Sequence, residues 1–118
     1  MSHCKHISVA QAEALLAGEH RAMLLDMRDA RAYCQGHDPR AIPLNPQTLR
    51  SLLLHTPHQV RIVICCADGS ASPARAELFA DFGFEHCYSL DGGYAAWQAR
   101  PRQAATPQRI AQRVAAHL

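Results

Sequence analysis

The chain has 118 residues, 48% of them hydrophobic, which is enough apolar surface for one core and too few residues for two domains of ordinary size. Its formal net charge is only +2, and both signs of charge are interspersed, so no basic surface typical of nucleic-acid binding is expected. No apolar run is long enough to span a bilayer, and the polar N-terminus does not resemble a signal peptide. We therefore expect a cytoplasmic protein with neither nucleic-acid nor membrane partners.

Cysteine usage also favours a reducing compartment. The five cysteines are odd in number, irregularly spaced and without a Cys-x-x-Cys pair: Cys4, Cys34, Cys65, Cys66 and Cys87. His3, Cys4 and His6 resemble a metal tract, but a fourth ligand is missing and the segment lies at a chain end. We predict no metal site and no organic cofactor.

The first half of the chain predicts two short helices around a buried strand. Ser8 and Gln11 form a capping box, so the polar N-terminus is expected to lead straight into a helix that ends at Gly18. The run 22–26 is short and continuously apolar up to its last residue, as in a strand covered on both faces. Asp29 then caps a brief helix that ends before the strand predicted at 41–44.

The second half continues the alternation. Asn45-Pro46 starts a helix with Leu49, Leu52 and Leu53 on one face. Strands are predicted at 60–65 and 86–90. Between them lies a helix whose apolar face is expected to hold Leu78, Phe79 and Phe82, and after them Gly92-Gly93 turns into a helix that buries Trp97. Strands alternating with helices predict an α/β fold, a parallel sheet with helices on both faces.

A cysteine stands where such a sheet binds its ligand. The β-branched run 62–64 leads through Cys65 to Cys66, and a loop of small residues follows. Ser72 is predicted to be the N-cap of the next helix and Pro73 its first residue. Ligands of open parallel sheets bind beyond the carboxyl ends of the strands, where loop amides and the helix N-terminus would face Cys66. Such surroundings lower the pKa of a thiol and make it nucleophilic.

Four segments in this order resemble the motifs of the rhodanese family, and especially its small single-domain thiosulfate sulfurtransferases. The segments are Leu25-Asp26-Met27-Arg28-Asp29, Gly36-His37-Asp38-Pro39-Arg40-Ala41, Cys66-Ala67-Asp68-Gly69 and Leu90-Asp91-Gly92-Gly93-Tyr94-Ala95-Ala96-Trp97. The resemblance runs from about residue 7 to residue 98. It implies one rhodanese-like domain, in which a cysteine carries sulfane sulfur as a persulfide and the amides of the following loop hold the anion.

On this resemblance Cys66 is the expected nucleophile. The residues of its expected substrate- and persulfide-binding loop are Ala67, Asp68, Gly69, Ser70, Ala71 and Ser72. The expected reaction is a ping-pong transfer of sulfur from a donor such as thiosulfate to cyanide or a thiol. Family loops commonly place Arg, Ser or Thr at the position of Ala71, and the carboxylate of Asp68 would oppose a nearby thiolate.

Other functions are open to the same residues. Phosphatases of this fold use a Cys-x5-Arg loop, but Ala71 and Ser72 stand where that arginine would fall, so phosphate-ester hydrolysis is disfavoured. Thiol redox chemistry would need Cys65 beside Cys66, yet neighbouring strand residues point to opposite faces, and Cys65 is expected in the core. A non-catalytic binding module of the same fold is the main alternative.

Two further features have both a structural and a functional interpretation. Asp26 and Arg28 could support the site, although such a pair more often ties loops together.

After the domain at 1–100, residues 101–118 are predicted to form an amphipathic helical extension, with Ile110, Val114 and Leu118 on one face. By default it packs on its own domain, and self-association or docking to an acidic protein is the alternative.

Overall fold

The computed structural model describes residues 4–101, in which five parallel strands form one sheet with helices on both faces. The elements in chain order are β1 (Lys5–Ile7), α1 (Val9–Ala17), β2 (Ala22–Asp26), α2 (Ala30–Gln35), β3 (Ala41–Pro43), α3 (Pro46–His55), β4 (Arg61–Cys65), α4 (Ser72–Asp81), β5 (Cys87–Leu90) and α5 (Gly93–Ala99). The strand order is β1-β5-β4-β2-β3. The predicted fold class is confirmed.

The central strands bury alternate residues on opposite sides of the sheet. Leu25 and Ile64 face a core completed by α3 and α4, whereas Leu24 and Val63 face a core completed by α1, α2 and α5. All four side chains are at most 3% exposed, which explains why β2 and β4 read as continuous apolar runs in the sequence. β4 is packed between the two cores, and this packing positions the loop that follows it.

The N-terminal segment was predicted wrongly. Instead of leading straight into a helix, residues 5–7 form the edge strand β1, in which Lys5 pairs with Tyr88 and Ile7 with Leu90. Only Ile7 of this strand is buried. A three-residue strand with one inward side chain has no readable alternation, and its pairing with β5 supplies the order that the local sequence lacks.

One side chain of the predicted core lies elsewhere. Phe82 is 47% exposed because α4 ends at Asp81, and Phe84 instead packs edge-on against Phe79 with ring centroids 5.1 Å apart. Cys34 is exposed on α2. Trp97 is buried as predicted.

A buried carboxylate joins α5 to the segment before β3. Asp38 accepts hydrogen bonds from Nε of Arg40 at 3.0 Å, from the indole Nε1 of Trp97 at 3.3 Å and from Nη2 of Arg100 at 3.5 Å. Burial raises the pKa of Asp38, but its bonds to Arg40 and Trp97 outweigh burial and hold the pKa below the ordinary value. The last helix is therefore anchored by charge as well as by the apolar packing of Trp97.

Of the helical extension predicted at 101–118, residues 102–118 lie outside the described residues, and so does His3 of the metal tract. Between residues 4 and 101, no three metal-ligating side chains come together. No helix in that range has the length and apolar character needed to cross a membrane.

Candidate active site

Cys66 lies immediately after β4, at the carboxyl end of the sheet, with its side chain turned into the following loop. The residue is only 4% exposed. Its Sγ accepts a hydrogen bond from the backbone N–H of Gly69 at 3.1 Å and lies 3.5 Å from the hydroxyl oxygen of Ser72. The loop therefore bends around the sulfur.

These contacts change the acidity of the thiol. Burial raises the pKa of Cys66, but hydrogen bonds from the Ser72 hydroxyl and from the backbone amides of Ala71, Ser72 and Gly69 outweigh burial, so the pKa lies below that of an ordinary cysteine. Each of these donors is fixed by the loop or by the first turn of α4. A sulfur anion is consequently stabilised before any substrate arrives.

The start of α5 holds the cysteine loop from outside. The N–H of Tyr94 donates to the carbonyl of Cys66 at 2.7 Å, and the N–H of Ala95 donates to the carbonyl of Ala67 at 3.1 Å. Gly93, the residue before Tyr94, has φ of 59°, and a Cβ there would come within 2.3 Å of the Cys66 oxygen. Only glycine fits this position, because both the backbone angle and the space exclude a side chain.

The predicted N-cap role of Ser72 is wrong. Ala71 occupies the N-cap position without a side-chain hydrogen bond, and Ser72 is the first residue of α4. The Ser72 hydroxyl is turned inward instead, towards the Cys66 sulfur and the hydroxyl of Ser89 on β5, 2.7 Å away. Ser89 was missed altogether; its only signal in the sequence is a small polar residue inside an otherwise apolar strand.

The loop carries its one carboxylate away from the cysteine. Asp68 is exposed, and its Oδ1 accepts hydrogen bonds from the hydroxyl of Ser70 at 2.6 Å and from the N–H of Ser70 at 3.0 Å. These bonds hold the pKa of Asp68 below its usual value, so it is ionised at neutral pH. Ala71 is exposed at the rim of the loop and presents only a methyl group.

Asp26 and Arg28 form a buried ion pair at the end of β2. Nη2 of Arg28 is 2.8 Å from Oδ2 of Asp26 and donates to the carbonyl of Gly36 at 2.7 Å. The guanidinium also lies over the ring of Tyr94, 3.6 Å from its centroid. The pair thus connects β2, the end of α2 and the helix that holds the cysteine loop.

Residues 8–100 match the family of rhodanese-like domains. The chain belongs to this family. It is 36% identical over 95 residues to the thiosulfate sulfurtransferase GlpE of Pseudoalteromonas translucida (strain TAC 125), covering 80% of this chain and 90% of that protein. Its fold matches the rhodanese-like domain of an Anabaena sp. protein (TM-score 0.69, 24% identity, 86% and 83% of the two chains). It also matches a Staphylococcus aureus rhodanese-like domain protein (TM-score 0.66, 23% identity, 79% and 90%). At these identities the two structures show the fold alone.

In this rhodanese-like domain Cys65, the neighbour of Cys66, has a different environment. Cys65 is 4% exposed and packs with Leu24 and Val63 in the core under α1, α2 and α5. Burial raises its pKa to about 12, so it stays a thiol at neutral pH. It forms no disulfide; its S–H donates to the carbonyl of Cys66 at 3.4 Å. As predicted, Cys65 belongs to the core.

Proposed function

We propose that this rhodanese-like protein is a sulfurtransferase that moves sulfane sulfur from a donor such as thiosulfate to cyanide or a thiol, with Cys66 as the carrier. The observation that supports this most directly is the position of the Cys66 sulfur inside a loop whose amides point at it. The name of the GlpE relative supports the same reaction class and the same donor.

In the first half-reaction the Cys66 thiolate attacks the outer sulfur of thiosulfate. A new S–S bond forms to Cys66 while the bond to the inner sulfur breaks, and sulfite leaves with that electron pair. The outer sulfur, now the terminal atom of a persulfide, carries the negative charge. In the free protein the amides of Gly69, Ala71 and Ser72 donate to the Cys66 sulfur, so they stabilise the thiolate that attacks in this step and that leaves in the next.

In the second half-reaction the acceptor attacks the terminal sulfur of the persulfide. Cyanide becomes thiocyanate, or a thiolate becomes a persulfide, and the electron pair of the broken S–S bond returns to Cys66 as thiolate. The enzyme ends the cycle in the form in which it began, so the kinetics are ping-pong.

The rim of the loop bears on the choice of donor. Ala71 offers no cation or hydroxyl where family loops commonly carry one, so a dianionic donor would be held mainly by the backbone amides. Asp68 adds a negative charge on the solvent side, although Ser70 holds its carboxylate. Both features predict a modest kcat/KM with thiosulfate, and both would oppose a less charged donor less strongly.

Intact-protein and peptide mass spectrometry test the proposal. Incubation with thiosulfate should add one sulfur, about 32 Da, to the peptide at Cys66, and cyanide should remove it with release of thiocyanate. Cys66→Ser is the matched control and should gain nothing. A folded protein that gains no sulfur from thiosulfate, or from any of a panel of sulfane-sulfur donors, would favour the non-catalytic binding module.

A further inference from the structure

Three side-chain atoms form a buried line that runs from the nucleophile into the sheet. The Cys66 sulfur is 3.5 Å from the Ser72 oxygen, which is 2.7 Å from the Ser89 oxygen. The residues are 4%, 0% and 1% exposed, respectively. Among residues 4–101, the two hydroxyls make side-chain hydrogen bonds only along this line.

The number of protons on this line depends on the charge of Cys66. Three atoms in a row make two contacts, and each contact uses one proton. When Cys66 is a thiol, three protons compete for two contacts, so one buried S–H or O–H has no acceptor on the line. When Cys66 is a thiolate, Ser89 donates to Ser72 and Ser72 donates to the sulfur, and both hydroxyl protons are used. A buried donor without an acceptor is unfavourable, so this arrangement favours the anion.

We propose that Ser72 and Ser89 act as a two-hydroxyl relay that holds the Cys66 sulfur in its anionic form. Ser72 donates directly to the sulfur, and Ser89 is a positioning residue that orients the Ser72 hydroxyl. The proposal deepens the proposed function, because it rests on Cys66 as the nucleophile, and it assigns the side chains of Ser72 and Ser89 roles in addition to the backbone amides.

The charged groups at this end of the sheet do not supply the same effect. Arg28 is held by Asp26, and Asp91 is paired with His6 at 3.4 Å. Asp68 is turned to Ser70, and its negative charge would favour the thiol rather than the thiolate. Arg75, one turn along α4, lines a groove with Met27 and Leu49 on the α3 side. The side-chain stabilisation of the thiolate therefore comes from the relay, whose Ser72 hydroxyl contacts the sulfur.

The experiment measures the pH dependence of iodoacetamide alkylation at Cys66 in four variants, with peptide mass spectrometry to locate the label. The variants are Ser72→Ala, Ser89→Ala, the double variant and Ser8→Ala. Ser8 caps α1 through a bond to Gln11, so Ser8→Ala controls for loss of a serine hydroxyl and of stability away from the cysteine. Cys65 reports on folding in the same peptide, since it is labelled only if the core opens.

Ser72→Ala should raise the inflection pH by about one unit and Ser89→Ala by about half a unit, while Ser8→Ala leaves it unchanged. The double variant should match Ser72→Ala, because Ser89 acts through Ser72. Unchanged inflections, or a Ser89→Ala shift that persists without Ser72, would overturn the proposal. If a variant exposes Cys65, the measurement is repeated at lower temperature, where Cys65 is protected. Alkylation needs no sulfur donor, so failure of the proposed sulfur transfer would be seen separately, as wild-type protein that gains no sulfur.

Discussion

The Gly93→Ala substitution tests how the cysteine loop is held. Its added Cβ would lie 2.3 Å from the Cys66 carbonyl oxygen and 2.7 Å from the backbone nitrogens of Asp68 and Gly69. Real Cβ contacts stay beyond 3.0 Å, so the loop and the start of α5 must separate by about 0.7 Å or more.

The energetic cost follows from what that separation breaks. The residue has φ of 59°, which costs a non-glycine side chain about 1 kcal/mol. Weakening the Tyr94 to Cys66 and Ala95 to Ala67 hydrogen bonds costs about 1 kcal/mol each. The free energy of unfolding should therefore fall by about 2–4 kcal/mol, which lowers the melting temperature by roughly 10–15 °C in a domain of this size.

The substitution should also slow persulfide formation at Cys66. A displacement approaching 1 Å moves the loop amides relative to the sulfur, and errors of that size reduce rates by up to about 100-fold. The assay is persulfide formation with thiosulfate at a temperature where the variant is folded, followed by mass spectrometry.

Gly92→Ala is the matched control for this variant. Gly92 also has a positive φ, of 73°, but its Cβ would meet the side chain of Ala96 at 2.7 Å and not the cysteine loop. It should lose stability while it retains most of the persulfide formation. Equal loss of persulfide formation in both variants, or a Gly93→Ala protein with wild-type rate and melting temperature, would refute the role assigned to Gly93.

Three further predictions concern single side chains. Cys66→Ser should abolish sulfur transfer, whereas Cys65→Ser should retain most of it; equal losses in two folded variants would favour the thiol redox alternative. Ala71→Arg and Ala71→Ser should each raise kcat/KM for thiosulfate about tenfold, because a cation or hydroxyl at the rim would add about 1.4 kcal/mol of transition-state stabilisation. Unchanged steady-state kinetics would show that the backbone amides suffice. Asp38→Asn should lower the free energy of unfolding by about 2–4 kcal/mol at pH 7. The pKa of Asp38 is lower in the folded protein than in the unfolded chain, where it is about 3.9. The stabilisation by Asp38 is therefore present above the unfolded pKa and is lost as the pH falls through the folded pKa. Urea melts from pH 7 to 2.5 should show this loss in the wild type and not in the variant.

The architecture around the nucleophile was largely readable from local patterns. The apolar runs of β2 and β4 indicated buried parallel strands, and the small residues after Cys66 indicated a loop with accessible amides. Such signals are local because burial on both faces and turn chemistry constrain each segment by itself. The edge strand β1 lacked them, since only Ile7 of its three residues is buried.

What the sequence alone determined is therefore the fold class, the position of Cys66 at the carboxyl end of the sheet and the placement of Cys65 in the core. Only the tertiary structure decided that Gly93 must lack a side chain, that Ser72 faces inward and that Ser89 lies behind it. These residues are 27, 6 and 23 positions from Cys66 in the chain. Gly93 lies on α5 and Ser89 on β5, so the packing of these elements places them near the cysteine. Contacts between elements depend on the packing of the whole sheet, and no spacing within one segment encodes them.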